Sequence, residues 1–77
     1  MQCKLFSQED CEIFSDVVSI TLSSKSGELQ ILSGYTESFL LLREGNLSVE
    51  MKGKQKKIKE IEGGMCWVKD DEVSIVL

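Results

Sequence analysis

Apolar and polar side chains alternate with a period of two along most of the chain. Val18, Ile20 and Leu22 are separated by Ser19 and Thr21. Leu47, Val49 and Met51 are separated by Ser48 and Glu50, and Val73, Ile75 and Leu77 by Ser74 and Val76. Successive side chains of a strand point to opposite faces, so each run predicts a half-buried β-strand. Cys3 and Leu5 predict a first short strand, Leu29 and Ile31 another, and Met65 to Val68 a later one. Thr36 to Arg43 is compatible with a capped helical turn, but its strand neighbours favour a strand. Breaks fall at Ser26-Gly27-Glu28, Ser33-Gly34, Glu44-Gly45-Asn46, Lys52-Gly53-Lys54, Gly63-Gly64 and Asp70-Asp71. Turn signals at roughly 8–12-residue spacing predict an all-β fold, a sandwich or a barrel.

Lys52-Gly53-Lys54 reads as a hairpin turn between strands over Leu47–Met51 and Gln55–Ile61. Ile58 and Ile61 break parity within the second strand, which predicts a bulge near Lys59 or Glu60. Glu9, Asp10 and Glu12 are expected in an early loop.

Two segments are apolar on both faces. In Phe39-Leu40-Leu41-Leu42, one alternate pair must point away from the core unless something covers it. Contiguous exposed apolar surface usually marks a protein interface. A strand buried on both sides is the other possibility, and a one-residue slip exchanges the two pairs. The second segment is Met65-Cys66-Trp67-Val68, where Trp67 is either ordinary core or an interface anchor.

The chain has 77 residues, enough for one domain over 1–77. A chain of this size buries only roughly 60% of its unfolded surface, too little for a deep active-site cleft beside a full core. Histidine is absent, which removes the commonest general base and a common zinc ligand. No Gly-rich phosphate loop precedes a helix, and the carboxylates are scattered over turns rather than paired for acid–base chemistry. No catalytic residue, metal ligand, cofactor or small-molecule ligand is expected. The net charge of −4 leans away from nucleic acid. Five of the nine basic residues, Lys52, Lys54, Lys56, Lys57 and Lys59, sit together, either guarding an edge strand or meeting an acidic partner. Cys3, Cys11 and Cys66 show no CxxC spacing and read as free, mostly buried thiols. No apolar run approaches the roughly 20 residues that span a bilayer.

From Phe14 onward the order of residues resembles the N-terminal β-sandwich domain of the epsilon subunit of F-type ATP synthases. Phe14-Ser15 opens the stretch, and Val18, Ile20 and Leu22 form its first strand. Gly27-Glu28-Leu29-Gln30-Ile31-Leu32-Ser33-Gly34-Tyr35 takes the place of the family's Gly-Glu loop, with Phe39 to Leu42 as the apolar strand after it. Glu62-Gly63-Gly64 and Val73-Ser74-Ile75-Val76 take the places of the later double-glycine turn and the closing strand. The resemblance implies a small flattened β-sandwich of about eight to ten short, mostly antiparallel strands, and a non-catalytic subunit of the rotor central stalk. It would bind the gamma subunit and the c ring, and couple proton flow to ATP synthesis. Its contact with the membrane would be indirect, through the complex, on the cytoplasmic face of a bacterial inner membrane. Most family members add a C-terminal helical hairpin that restrains hydrolysis; a native chain of the sandwich alone would be a subunit without that brake, whereas a truncated chain would simply leave the brake out of view. The expected gamma contacts are Leu40, Leu42 and Trp67, and the expected c-ring contacts Glu28, Ile31, Ser33 and Tyr35. Gln30, Ser33, Tyr35 and Glu37 replace the family's glycine, two prolines and histidine, which should make this loop more mobile.

Two other readings compete. Val49-Glu50-Met51-Lys52-Gly53 places Lys52 after methionine at a hairpin tip, as in a biotinyl or lipoyl carrier domain. A generic β-sandwich interaction module fits the same composition.

Overall fold

Nine strands and no helix make up the fold of residues 1–77, here a computed structural model. In chain order they are β1 (Gln2–Phe6), β2 (Cys11–Phe14), β3 (Val17–Ser24), β4 (Gly27–Leu32), β5 (Ser38–Leu42), β6 (Gly45–Met51), β7 (Gln55–Ile61), β8 (Gly64–Lys69) and β9 (Glu72–Val76). Neighbours run β2-β1-β9-β8-β5-β3-β6-β7, with β4 on the other side of β3. Every pairing is antiparallel except β1 with β9. The strands β2-β1-β9-β8-β5 form one layer and β4-β3-β6-β7 the other. The layers join at a single register pair, Ser24 with Leu42. The body measures 28 × 27 × 18 Å, and its thin dimension matches two sheets stacked about 10 Å apart. The expected flattened sandwich of mostly antiparallel strands is what forms.

One core lies between the layers. Cys3, Leu5, Val73, Ile75, Cys66, Val68 and Leu42 enter from one sheet, and Val17, Ile20, Leu22, Ile31, Leu47, Val49 and Ile61 from the other. Burial pushes the Cys66 thiol up to about 11. Burial, with Cys66 nearby, pushes Cys3 up to about 12. Both thiols therefore behave as small apolar groups. Cys11 is exposed, unlike the buried pair.

The turns follow their chemistry. Asp70 and Asp71, both at positive φ, close β8 onto β9 in a two-residue turn. Aspartate tolerates that conformation better than most side chains, and such turns match the twist of the flanking strands. Ser24 is buried but satisfied: its hydroxyl donates to the Gly27 carbonyl and accepts from the Ser26 amide. Gly64 has φ +150°, and a Cβ there would lie 2.4 Å from the Val76 carbonyl oxygen. Only glycine lets β8 and β9 approach in this way.

Three expectations need correction. No bulge occurs in β7, whose register with β6 is continuous from Gly45–Ile61 to Met51–Gln55. Ile58 simply points outward, opposite Ser48, while Ile61 points inward. The bulge is in β3, where two residues, from Val17 to Ser19, advance against one on β6. Val18 is the extra residue and is exposed, so the inward residue before Ile20 is Val17. Glu12 lies on β2 rather than in a loop.

Candidate interaction surface

The parity of β5 decides which of its apolar residues face out. Leu42 is 4% exposed and belongs to the core, and Leu40 packs against that core. Phe39 and Leu41 are exposed. Leu40 and Leu42, expected as gamma contacts, are therefore the inward pair, and Phe39 and Leu41 the outward one. The physical reason is register: Leu40 pairs with Cys66, whose side chain is fully buried, so both point inward.

The outward residues line up across the sheet. Leu41 stands opposite Met65, Met65 opposite Val76, Val76 beside Phe6, and Phe6 opposite Cys11. One step along, Phe39 stands opposite Trp67, Trp67 opposite Ser74, Ser74 beside Lys4, and Lys4 opposite Ile13. Phe6, Ile13, Phe39, Leu41, Met65 and Trp67 are all exposed. The outer face of one layer is thus a contiguous apolar surface, broken mainly by the Lys4–Glu72 ion pair at 2.9 Å. Phe39 and Trp67 anchor its β5–β8 corner with ring centroids 5.0 Å apart and planes at 68°. Trp67, expected as either core or anchor, is 40% exposed. The outer face of the other layer is mostly polar, carrying Glu28, Gln30, Thr21, Ser48, Glu50 and Lys56; Leu32, Ile58 and the bulge residue Val18 are the exposed apolar residues of this layer.

Ser33 and Tyr35 lie in the exposed turn between β4 and β5. The Asp71 carboxylate accepts hydrogen bonds from the Ser33 hydroxyl at 2.9 Å and the Gly34 amide at 3.2 Å. These bonds, with the N-terminal ammonium 3.7 Å away, hold the Asp71 carboxyl below its usual range. Ile31 is fully buried and cannot present its side chain to a partner. Glu28 is exposed but stands at the opposite end of β4, beside Ser24, Arg43 and Glu44. It is not a neighbour of Tyr35, because Gly27–Leu32 is an extended strand rather than a compact loop. Lys52 and Lys54 lie in the β6–β7 turn on either side of Gly53, and Lys56 and Lys57 lie exposed on the edge strand β7.

Sequence reasoning missed Phe39, Leu41, Met65, Phe6 and Ile13 as members of one face. Phe39 and Leu41 carried a signal, as the alternative outward pair. The β1–β2 contribution needed the parallel β1–β9 pairing, which no local pattern announces.

The fold and this face define a class, that of small β-sandwiches with one exposed apolar face. The whole chain, residues 1–77, matches the family described as ATP synthase, Delta/Epsilon chain, beta-sandwich domain, and it belongs to that family. It is similar to the ATP synthase epsilon chain of Wolbachia pipientis wMel, at 32% identity over 73 residues. That match covers 95% of this chain and 64% of the relative. Among solved structures it is similar to a chain of the Euglena gracilis mitochondrial ATP synthase OSCP/F1/c-ring assembly, with a TM-score of 0.87 and 30% identity. That match covers 96% of this chain and 48% of the other. It shares its fold with a chain of the Tetrahymena thermophila mitochondrial ATP synthase central stalk and c ring, at a TM-score of 0.83, 20% identity, and coverage of 97% and 60%. The chain therefore spans about half to two thirds of the length of these relatives. Family membership displaces the carrier reading of Lys52.

Proposed function

We propose that this single β-sandwich domain is the non-catalytic, rotor-side part of a proton-translocating ATP synthase. It docks on the gamma subunit, faces the c ring, and helps couple proton flow to ATP synthesis. The observation that carries the reading is the in-register apolar face of β5, β8, β9, β1 and β2 on a chain of this family. A monomer of this size gains nothing by exposing Phe39, Leu41 and Trp67 to water, whereas covering the roughly half of each side chain that is still exposed contributes on the order of 1 kcal/mol apiece. Gamma is the partner for this face, contacted through Phe39, Leu41, Met65 and Trp67. The end carrying Ser33 and Tyr35 is the part that faces the c ring. Glu28, at the other end of β4, belongs to neither contact. The domain meets the membrane only through the complex, on the side of the catalytic head, which in a bacterium is the cytoplasmic face.

The test is co-elution of the chain with a gamma-containing subcomplex, with and without the c ring. Wild type co-elutes, and Leu41→Asp, still folded by circular dichroism, does not. A folded wild-type chain that fails to co-elute refutes the reading.

A further inference from the structure

The apolar face opens at its β5–β8 corner into a cleft of about 560 Å³. Phe39 and Trp67 form its apolar floor, and Glu37, Asp70 and Glu72 stand around it with Lys69. In an edge-to-face pair one ring keeps a free face, and both rings here are substantially exposed.

The charge around the floor is unbalanced, three carboxylates against one ammonium. Lys69 reaches Glu37 at 3.8 Å, but both side chains are about 70% exposed, and such a contact holds little. Glu72 pairs with Lys4 outside the cleft, and Asp70 takes part in no ion pair.

The geometry points to an arginine of the docking protein as the occupant of this cleft, its guanidinium laid over the Phe39–Trp67 floor and facing Asp70, Glu72 and Glu37. The inference rests on the docking reading above and names the side chain that the corner selects. An aromatic face attracts a cation, most strongly once water is expelled. A planar guanidinium stacks on a ring while its edge donates to carboxylates, which a compact ammonium cannot do as well. A purely apolar occupant would cover Asp70, which has no partner, and strip water from Glu37 and Glu72, each held by a single half-exposed or exposed ion pair, which opposes docking. A metal ion is not the fit, because no three acidic or thiol side chains converge.

Trp67 is the sole tryptophan, so its indole N–H gives one isolated nuclear magnetic resonance signal. The free chain is titrated with N-acetylarginine amide, with its neutral isostere N-acetylcitrulline amide, and with N-acetyllysine amide. The arginine probe is expected to shift the Trp67 indole and the Asp70 and Glu72 amides saturably. Citrulline should leave them in place, and lysine should bind several-fold more weakly. The variant Glu37→Gln/Asp70→Asn/Glu72→Gln should lose the arginine response and bind the gamma-containing subcomplex about tenfold more weakly. Its binding should also lose most of the wild-type salt dependence. Equal shifts by citrulline and arginine, or equal shifts by lysine and arginine, overturn the proposal. So does a triple variant that binds the subcomplex like wild type. If Leu41→Asp abolishes that binding while the triple variant retains it, the arginine site falls and the docking face stands. If neither substitution alters binding, the docking face falls with it.

Discussion

Lys57 on β7 and Glu12 on β2 meet at 2.7 Å, although their strands stand at the two ends of the sheet. The same ammonium lies 5.7 Å from the centre of the Phe14 ring. Lys57 pairs with Val49, whose side chain is buried, so Lys57 leaves β7 on the inner side and reaches across the gap between layers. The contact clasps the sandwich where no backbone pairing does. It also places a charge inside an edge strand, which discourages another strand from adding there.

A double-mutant cycle of Lys57→Ala with Glu12→Ala measures that clasp in urea unfolding. Both side chains are partly exposed, so the expected coupling is about 0.5–1 kcal/mol. It should fall toward zero in 1 M salt, where screening acts over about 3 Å. A coupling indifferent to salt would mean that packing of the lysine stem on Phe14 holds the edges together instead.

Asp71 ties the β4–β5 turn to the β8–β9 turn, and this tether has a definite pH dependence. Hydrogen bonds from Ser33 and Gly34 lower the carboxyl pKa in the fold, relative to roughly 3.9 in the unfolded chain. A lowered folded value means that the stabilisation is present above the unfolded value and is lost as pH falls through the folded one. Amide exchange at Gly34, corrected for intrinsic rates, should therefore accelerate only below about pH 4. Asp71→Gly removes the carboxylate while keeping a residue suited to φ +60°, so it should loosen Ser33 to Tyr35 at every pH and leave the hairpin intact. Unchanged protection in that variant would show that the turn holds itself. In a turn that lacks proline at Ser33 and Glu37, the restraint comes from the Ser33 and Gly34 bonds to Asp71.

The three cysteines should divide two to one. In the native state an exposed-thiol reagent at pH 8 should label Cys11 quickly and leave Cys3 and Cys66 unreacted, with all three labelled in denaturant. The two buried thiols stay protonated in the fold, whereas the unfolded chain ionises near pH 8.5. The unfolded state then binds fewer protons, so stability should decline as pH rises above about 8.5, toward the raised folded values. Rapid native labelling of Cys3 or Cys66 would show that β1 or β8 opens locally.

Much of this architecture was legible because alternation and turn residues are local signals. Leu47, Val49, Val73 and Ile75 fall inward as their spacing requires, and the turns at Gly53 and at Asp70-Asp71 fall where the sequence breaks. The bulge was misplaced because parity has two remedies. Ile58 could be rescued by an extra residue or left exposed, and the continuous β6–β7 ladder leaves it exposed. In β3 the adjacent valines, Val17 and Val18, hid the slip, since either could have faced inward. Which face of Phe39 to Leu42 points outward was not legible at all. It depends on pairing with β8, a segment more than twenty residues away.

That pairing yields the sharpest contrast in the molecule, between two adjacent leucines. Leu42 is a core residue at 4% exposure, and Leu41 is 46% exposed, opposite Met65 on the outer face. Leu42→Ala should cost about 2–5 kcal/mol of stability, because it removes buried methyl groups and leaves a cavity between the layers. In so small a domain that loss is a large part of the total, which is typically about 5–15 kcal/mol. Leu41→Ala should change stability by less than about 0.5 kcal/mol, as expected for an exposed site. Its effect should instead be on binding to the gamma-containing subcomplex, weakened by about tenfold or more, equivalent to about 1.4 kcal/mol. Thermal unfolding of the free chain and co-elution of the complex separate the two roles. If Leu41→Ala unfolds the chain, or Leu42→Ala weakens binding without loss of stability, then β5 presents the opposite face and the apolar surface is not the one described.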